Sequence, residues 1–349
     1  MALTDRVLTR ATLHRQLLTG RAPMGAVAAI GHLAGLQGQE PNSPYLALWA
    51  RLRGFSRDEL TGALHERSVV RGTLFRGTQH LVTGDDYAWM RPLIGGSLGG
   101  RFTRDLAAIG KDELAEAVRE ILAGRSLTRP QLRDALLERW PGTDRIAMAY
   151  AAQFLVALLH PPPSGVWNSG RAVPMVLAEE WLGRPLTTAP VADLVRRYLA
   201  AFGPATVKDV QAWSGLTRLS EVLPVMGLRT YAASDGRVLY DLPELDLPDA
   251  DLPLPVRILP DFDQLMVSFA DRRRVMDDDV RAKVCVGAVI APTILVDGRV
   301  AAMWRLSGKR VFEVISLRHL PAGTRADIEA EATALLSFMD VEDGEVRFT

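Results

Sequence analysis

Two glutamines one residue apart, in Leu36-Gln37-Gly38-Gln39-Glu40, are the side chains whose type and placing most invite a chemical reading. An apolar segment over 23–36 stops beside them. Pro41 and Pro44 prevent that helix from running on, because proline lacks a donor and restricts the residue before it. Ser43 then reads as the N-cap of a new helix with Pro44 at its first position. Gln37 and Gln39 are therefore expected at a helix end and the turn after it, held without being buried. Taken alone, such a pair caps a helix or closes a turn, yet two neighbouring neutral amides are an odd choice for solubility.

Other candidates carry weaker chemistry. Gly95-Gly96-Ser97-Leu98-Gly99 has the spacing of a nucleophile elbow, which needs a strand before it and a helix after it on a parallel sheet. Pro92 interrupts the preceding segment and no βαβ alternation is present, so the run is expected to be a flexible linker. It also lacks the Lys-Ser/Thr of a phosphate loop. The histidines at 14, 32, 65, 80, 160 and 319 show no His-x-x-x-His or Glu-x-x-His pairing, and no metal is expected. Arg272-Arg273-Arg274 before Asp277-Asp278-Asp279 reads as a solvated loop with offsetting charges, though Arg273 and its neighbours could touch phosphate. Arg71 and Arg76, beside Gly72 and Gly77 on a hairpin, are better placed for phosphate, or else decorate an ordinary exposed hairpin. Arg299, just past Asp297-Gly298, either follows a simple surface turn or enters a minor groove, where arginine is favoured.

Composition bounds these readings. A chain of 349 residues at 48% apolar is globular and long enough for two or three domains. The single Cys285 excludes a disulfide framework and favours a reducing cytoplasm. No apolar run reaches a membrane span, and the start does not read as a signal peptide. Net charge is zero, but residues 1–200 carry 24 Lys+Arg against 18 Asp+Glu, and residues 201–349 carry 17 against 23. The first part can therefore meet a polyanion, and its arginines suit forked phosphate contacts.

The elements that must position these residues follow a repeated order. Helices are expected over 4–18, 23–36, 43–51 and 56–65, the last opened by the capping-box pattern Ser56-Arg57-Asp58-Glu59. A hairpin over 68–83 closes the set, as in a winged helix. Helices over 111–122, 128–139 and 146–159 with an irregular wing from Pro161 repeat the order, and helices over 191–202, 206–213 and 217–226 with a hairpin around Asp235-Gly236 repeat it again. A proline-spaced acidic linker from Leu245 to Pro255 leads into short strands, an Asp297-Gly298 hairpin and a late helix over 326–338. The expected fold is mainly α with β: three tandem winged-helix units (1–100, 101–188 and 189–244) followed by a small C-terminal β-barrel or sheet domain (245–349).

Four motifs give this order a family resemblance. Val70-Arg71-Gly72-Thr73-Leu74 with His80-Leu81-Val82, then Phe202-Gly203-Pro204-Ala205-Thr206 with Asp209-Val210-Gln211-Ala212-Trp213-Ser214-Gly215, resemble a winged-helix family that includes the AlkZ and YcaQ bacterial DNA glycosylases. Leu259-Pro260-Asp261-Phe262-Asp263-Gln264-Leu265 and Asp297-Gly298-Arg299-Val300 leading to Trp304 complete the set. The AlkZ-like branch is marked by Gln-aliphatic-Gln, and Gln37-Gly38-Gln39 falls in that place with glycine where an aliphatic residue is usual. Glycine is expected to loosen the backbone and remove a packing anchor there.

The resemblance implies a monofunctional DNA glycosylase for N7-alkylated purines, including bulky adducts and interstrand crosslinks. It would act as a cytoplasmic monomer on duplex DNA, without cofactor, metal or membrane. A purine already cationic at N7 needs neither a strong acid nor a lysine nucleophile. What remains is to aim water at C1′ and to stabilise an oxocarbenium-like sugar, which amide carbonyls can do. Gln39 is expected to position the water and Gln37 to orient water and deoxyribose, with the two roles interchangeable. The rival is a winged-helix regulator reading sequence, which needs a recognition helix bearing exposed Arg, Asn or Gln. The third helix of the first unit, Asp58-Glu59-Leu60-Thr61-Gly62-Ala63-Leu64-His65-Glu66-Arg67, is acidic and counts against it.

Overall fold

The computed structural model describes residues 2–99, 106, 109–170 and 173–349. After a short strand β1 (Ala2–Leu3), the first helices are α1 (Asp5–Arg15) and α2 (Ala26–His32). Thr4 caps α1, its hydroxyl accepting from the Val7 amide. The chain then turns through Ala34 and Gly35, both at positive φ, into β2 (Leu36–Gln37). A side chain at Gly35 would meet Val82 Cγ1 at 2.5 Å, so glycine lets the turn lie against the sheet. Gln37 therefore ends a strand and not a helix, which corrects the expectation for this segment.

α3 (Ser43–Arg51) and α4 (Arg57–His65) follow, then β3 (Val69–Thr73), β4 (Gln79–Thr83) and α5 (Gly84–Gly99). Ser56 makes no side-chain cap to α4; Glu59 instead accepts from the Ala26 amide at 2.6 Å, serving α2. The expected linker at 95–99 completes α5, where Ser97 Oγ donates to the Ile94 carbonyl at 2.8 Å, so no elbow forms.

The second set comprises α6 (Lys111–Leu122), β5 (Leu127–Thr128), α7 (Arg129–Arg139), α8 (Arg145–Leu155), β6 (Leu158–Leu159), β7 (Pro174–Leu177) and α9 (Ala178–Leu182). Its strands do not form a separate wing. One six-stranded sheet runs β2-β4-β3-β6-β7-β5 across both sets, joined where Gly72 pairs with Leu159. A Cβ at Gly72 would lie 2.7 Å from the Tyr87 ring and 2.9 Å from Leu159, so this junction needs glycine.

The third set is α10 (Val191–Phe202), α11 (Val207–Ser214), β8 (Arg229–Ala233) and β9 (Val238–Asp241). The expected helix over 217–226 is two 3-10 turns, because Pro224 has no amide to donate. β1 pairs in parallel with β8, tying the N-terminus to this set.

The last part holds β10 (Arg257–Leu259), α12 (Asp278–Val284), β11 (Cys285–Val286), β12 (Val289–Ile290), β13 (Thr293–Val296), β14 (Arg299–Ser307), β15 (Val311–Ser316), α13 (Ala322–Phe338) and β16 (Glu345–Phe348). The sheet is open, ordered β10-β13-β14-β15-β16, with β15 and β16 parallel. No barrel closes among the described residues. The acidic run at Asp277–Asp279 is not a loop: Asp277 stands at the N-cap position of α12 without a side-chain cap, and Asp278 and Asp279 form its first turn, where the helix dipole favours carboxylates. The molecule is a mixed α/β fold in which neighbouring sets share sheets.

Candidate active site

Gln37 sits opposite His80 in the β2–β4 pair, is 8% exposed, and its carbonyl Oε1 has no partner among the described residues. Gly38 is tethered on both sides. Its amide donates to the Gln79 carbonyl at 2.8 Å, and its own carbonyl accepts from Arg71 Nε at 3.0 Å. A Cβ at Gly38 would meet Leu81 Cδ1 at 2.4 Å, so Leu81 fills the space an aliphatic side chain would take. The backbone is held, contrary to the loosening expected of glycine. Gln39 is exposed; its Oε1 accepts the Gln79 amide at 3.5 Å and its carbonyl lies 3.4 Å from Arg71 Nη2. The two glutamines are thus unequal: one is buried in the strand and the other reaches outward.

The expected arginine set is dispersed. Arg71 is buried beside the glutamines: Nη1 donates to Ser164 Oγ at 2.7 Å, while Nε and Nη2 face the Gly38 and Gln39 carbonyls. Burial lowers its pKa to about 10, against the help of Glu40, so it stays cationic at neutral pH. Gly165, at positive φ, would place a Cβ 2.9 Å from Arg71 Cδ, and its glycine leaves room for that side chain. Arg76 lies in the β3–β4 turn and donates to the Trp213 carbonyl at 2.7 Å, while Phe75 packs on Trp213 with centroids 3.9 Å apart. That turn docks on α11. Arg273 pairs at the surface with Asp271 and Asp235. Arg299 donates to the Arg273 carbonyl at 2.7 Å and pairs with Asp277. The Asp297-Gly298 tip does not project: Asp297 takes Arg10 at 2.6 Å, and a Cβ at Gly298 would touch Leu13 and Leu254 at 2.7 Å. The β11–β12 hairpin has its paired Val286 and Val289 exposed.

A cleft of about 490 Å³ opens on the shared sheet between the first and second sets. Gln39, Arg71, Gln79, Arg129, His160 and Met175 line it. Gln79, Arg129 and His160 escaped the sequence reading, because no spacing links them: they meet only when β6 pairs with β3. The one local hint was a histidine directly before three prolines. His160 is 3% exposed, and burial, aided by the Arg71 charge, pushes its pKa down to about 3. Its Nδ1 faces the Pro174 carbonyl at 3.1 Å. A carbonyl only accepts, so Nδ1 carries the hydrogen and Nε2 is a bare acceptor. Among the described residues lining the cleft there is neither carboxylate nor lysine. The arrangement can hold and orient neutral polar groups beside two arginines, and its described lining includes no strong acid or amine nucleophile.

A solved structure, Streptomyces sahachiroi DNA glycosylase AlkZ, superposes with a TM-score of 0.83 at 23% identity, covering 100% of both chains. At that identity the likeness shows the fold. A curated relative from Streptomyces sahachiroi, named interstrand DNA cross-link repair glycosylase, is 26% identical over 322 residues, covering 84% of this chain and 85% of the relative. The family described as DNA glycosylase AlkZ-like matches residues 30–338, a span that takes in both glutamines, the cleft and the open sheet. The chain belongs to the AlkZ-like DNA glycosylase family.

Proposed function

We propose that this chain is a monofunctional DNA glycosylase that hydrolyses the N-glycosidic bond of N7-alkylated purines, bulky adducts and interstrand crosslinks included. The observation that carries the reading is the cleft beside Gln39, polar but lined by neither carboxylate nor lysine among its described residues. Such a site has no carboxylic acid to give up a proton, so it suits a leaving group that needs none. Gln39, exposed at the rim, positions the attacking water through its amide carbonyl. Gln37 lies in the strand one residue from Gly38, and its unpartnered Oε1 adds partial negative charge on the side where the sugar becomes oxocarbenium-like. Arg71 fixes the backbone that carries both amides. The extension to crosslinks takes its support from the name of the Streptomyces sahachiroi relative and from the open site, since a crosslinked base cannot be extruded freely.

The test is a duplex carrying one N7-methylguanine. Expected products are the free methylated base and an abasic strand that stays intact until treated with alkali. Strand cleavage by the enzyme itself would contradict the monofunctional assignment, and absence of base release would overturn the reading.

A further inference from the structure

The turn that carries Gln39 belongs to the first set, yet it is tied at both ends to the stretch 160–168 of the second. At its start, Arg71 donates from Nε to the Gly38 carbonyl at 3.0 Å, and its Nη2 lies 3.4 Å from the Gln39 carbonyl. The same guanidinium ends on Ser164 Oγ, 2.7 Å from Nη1. At the other end, Asn42 and Asn168 bond to each other twice. Asn42 Nδ2 donates to Asn168 Oδ1 at 2.9 Å, and the Asn168 backbone amide donates to Asn42 Oδ1 at 2.7 Å. A backbone amide only donates, so it fixes which way the Asn42 carboxamide points. Trp167, between the two ties, meets the Tyr45 ring edge-on with centroids 5.4 Å apart.

Gln39 itself has little to aim it. Among the described residues, its side chain makes one hydrogen bond, the 3.5 Å contact from the Gln79 amide. That is long for such a bond, so the direction of the carboxamide depends on the backbone from Gly38 to Asn42. The Asn42–Asn168 pair is solvent-exposed, and a hydrogen bond of this kind adds only about 0.5–1.5 kcal/mol to stability. The two sets are already joined through the shared sheet, so the pair contributes geometry more than fastening.

We propose that the stretch 160–168 aims Gln39 at the attacking water, with Asn168 and Ser164 as positioning residues that act through Asn42 and Arg71. The inference rests on the reading of Gln39 as the residue that positions water, and it adds that the second set completes the geometry of the reaction. Displacing an attacking group by about 1 Å costs on the order of 100-fold in rate, so a loosened turn shows in the chemical step.

The test uses Asn168→Gly, which suits the positive φ of this position and keeps the backbone donor while removing the acceptor for Asn42 Nδ2. On a duplex carrying one N7-methylguanine, base release at saturating enzyme should fall by roughly 10-fold, with half-saturation and melting temperature unchanged. Asn168→Asp, whose carboxylate still accepts, should recover most of the rate, and Ser164→Ala should slow release in the same way. In a Gln39→Ala background Asn168→Gly should add no further loss, because the amide to be aimed is gone. A wild-type rate in Asn168→Gly, or a loss matched by weaker binding or lower melting, would overturn the inference. So would the same fold-loss with and without Gln39. A Gln39→Ala chain as fast as wild type removes the water role and this inference together but leaves the glycosylase reading standing, while a wild-type chain that releases no base removes all three.

Discussion

The junction beneath α1 and the cleft on the shared sheet are both buried and both polar, yet their hydrogen-bonding is opposite. At the junction, Arg15 grips Asp241 with two bonds of 2.6 and 2.8 Å and also donates to the Leu199 carbonyl. Arg51 grips Asp263 at 2.8 and 2.9 Å and donates to the carbonyls of Gln16 and Ala47. Gln16 donates to the Ala201 carbonyl and accepts from Gln264. These pairs fasten α1 and α3 to the third set and to the C-terminal part. In the cleft lining Gln79, Arg129 and His160, and in the neighbouring strand Gln37, each keep an atom unpartnered among the described residues. A buried network with every member satisfied fixes one arrangement, whereas a partly satisfied one keeps its hydrogen-bonding capacity for something that arrives. The same residue types thus hold the molecule together in one place and leave hydrogen-bonding groups unused in the other.

The largest effect is expected at the junction. Asp263→Ala strands the fully buried Arg51 guanidinium and should cost about 3–5 kcal/mol of stability, read as a large fall in the urea midpoint. A small change would mean that the junction is not the fastening. Gln39→Ala should do the reverse: excision at saturating enzyme slows by roughly 10- to 1000-fold while melting and DNA affinity hold. Gln37→Ala should slow excision too, and wild-type rates in both variants would remove the glutamines from the reaction.

Acid sharpens the contrast, because His80 and His160 are both held near a pKa of about 3 by burial, the first aided by Arg76 and the second by Arg71. Between about pH 3 and the unfolded histidine value near 6.5, the unfolded chain binds more protons than the folded one. Their stabilisation is therefore complete above pH 6.5 and drains away as pH falls toward 3. At pH 5 each should account for roughly 1–2 kcal/mol of lost stability relative to pH 7.5, and His160→Gln should flatten that dependence. A stability profile flat from pH 7.5 to 5 would contradict neutral burial of both rings. The smallest effect belongs to Arg299→Ala. Its exposed pairing with Asp277 contributes at most about 1 kcal/mol, and its hairpin is docked on α1, so melting and excision should stay near wild type. A selective defect on bulky adducts would restore Arg299 to the DNA face.

Local sequence rules carried a good part of the fold. The bounds of α3, α6 and α10 follow from apolar spacing, Pro44 and the glycines that end runs, and the hairpins around Gly77, Gly236 and Gly298 follow from turn chemistry. These are contacts within a few residues, where spacing and φ preference act directly. The pairing of Gln37 with Gln39 was legible because both lie in one short stretch. Which of them is buried was not, since that depends on β4 arriving from some 40 residues away. The same holds for Arg71, which reads as a surface hairpin residue until β6 and the Ser164 loop cover it. The Asp297-Gly298 turn likewise forms from its own residues, but only α1 decides that its tip is occupied. Beyond the prolines that follow His160, neither it nor Gln79 nor Arg129 has a local signature. Sequence determined the elements and the amide pair, because propensity and turn geometry are short-range. Tertiary structure decided burial, protonation and the empty hydrogen-bonding valences of the cleft, because these are set by what packs across the sheet.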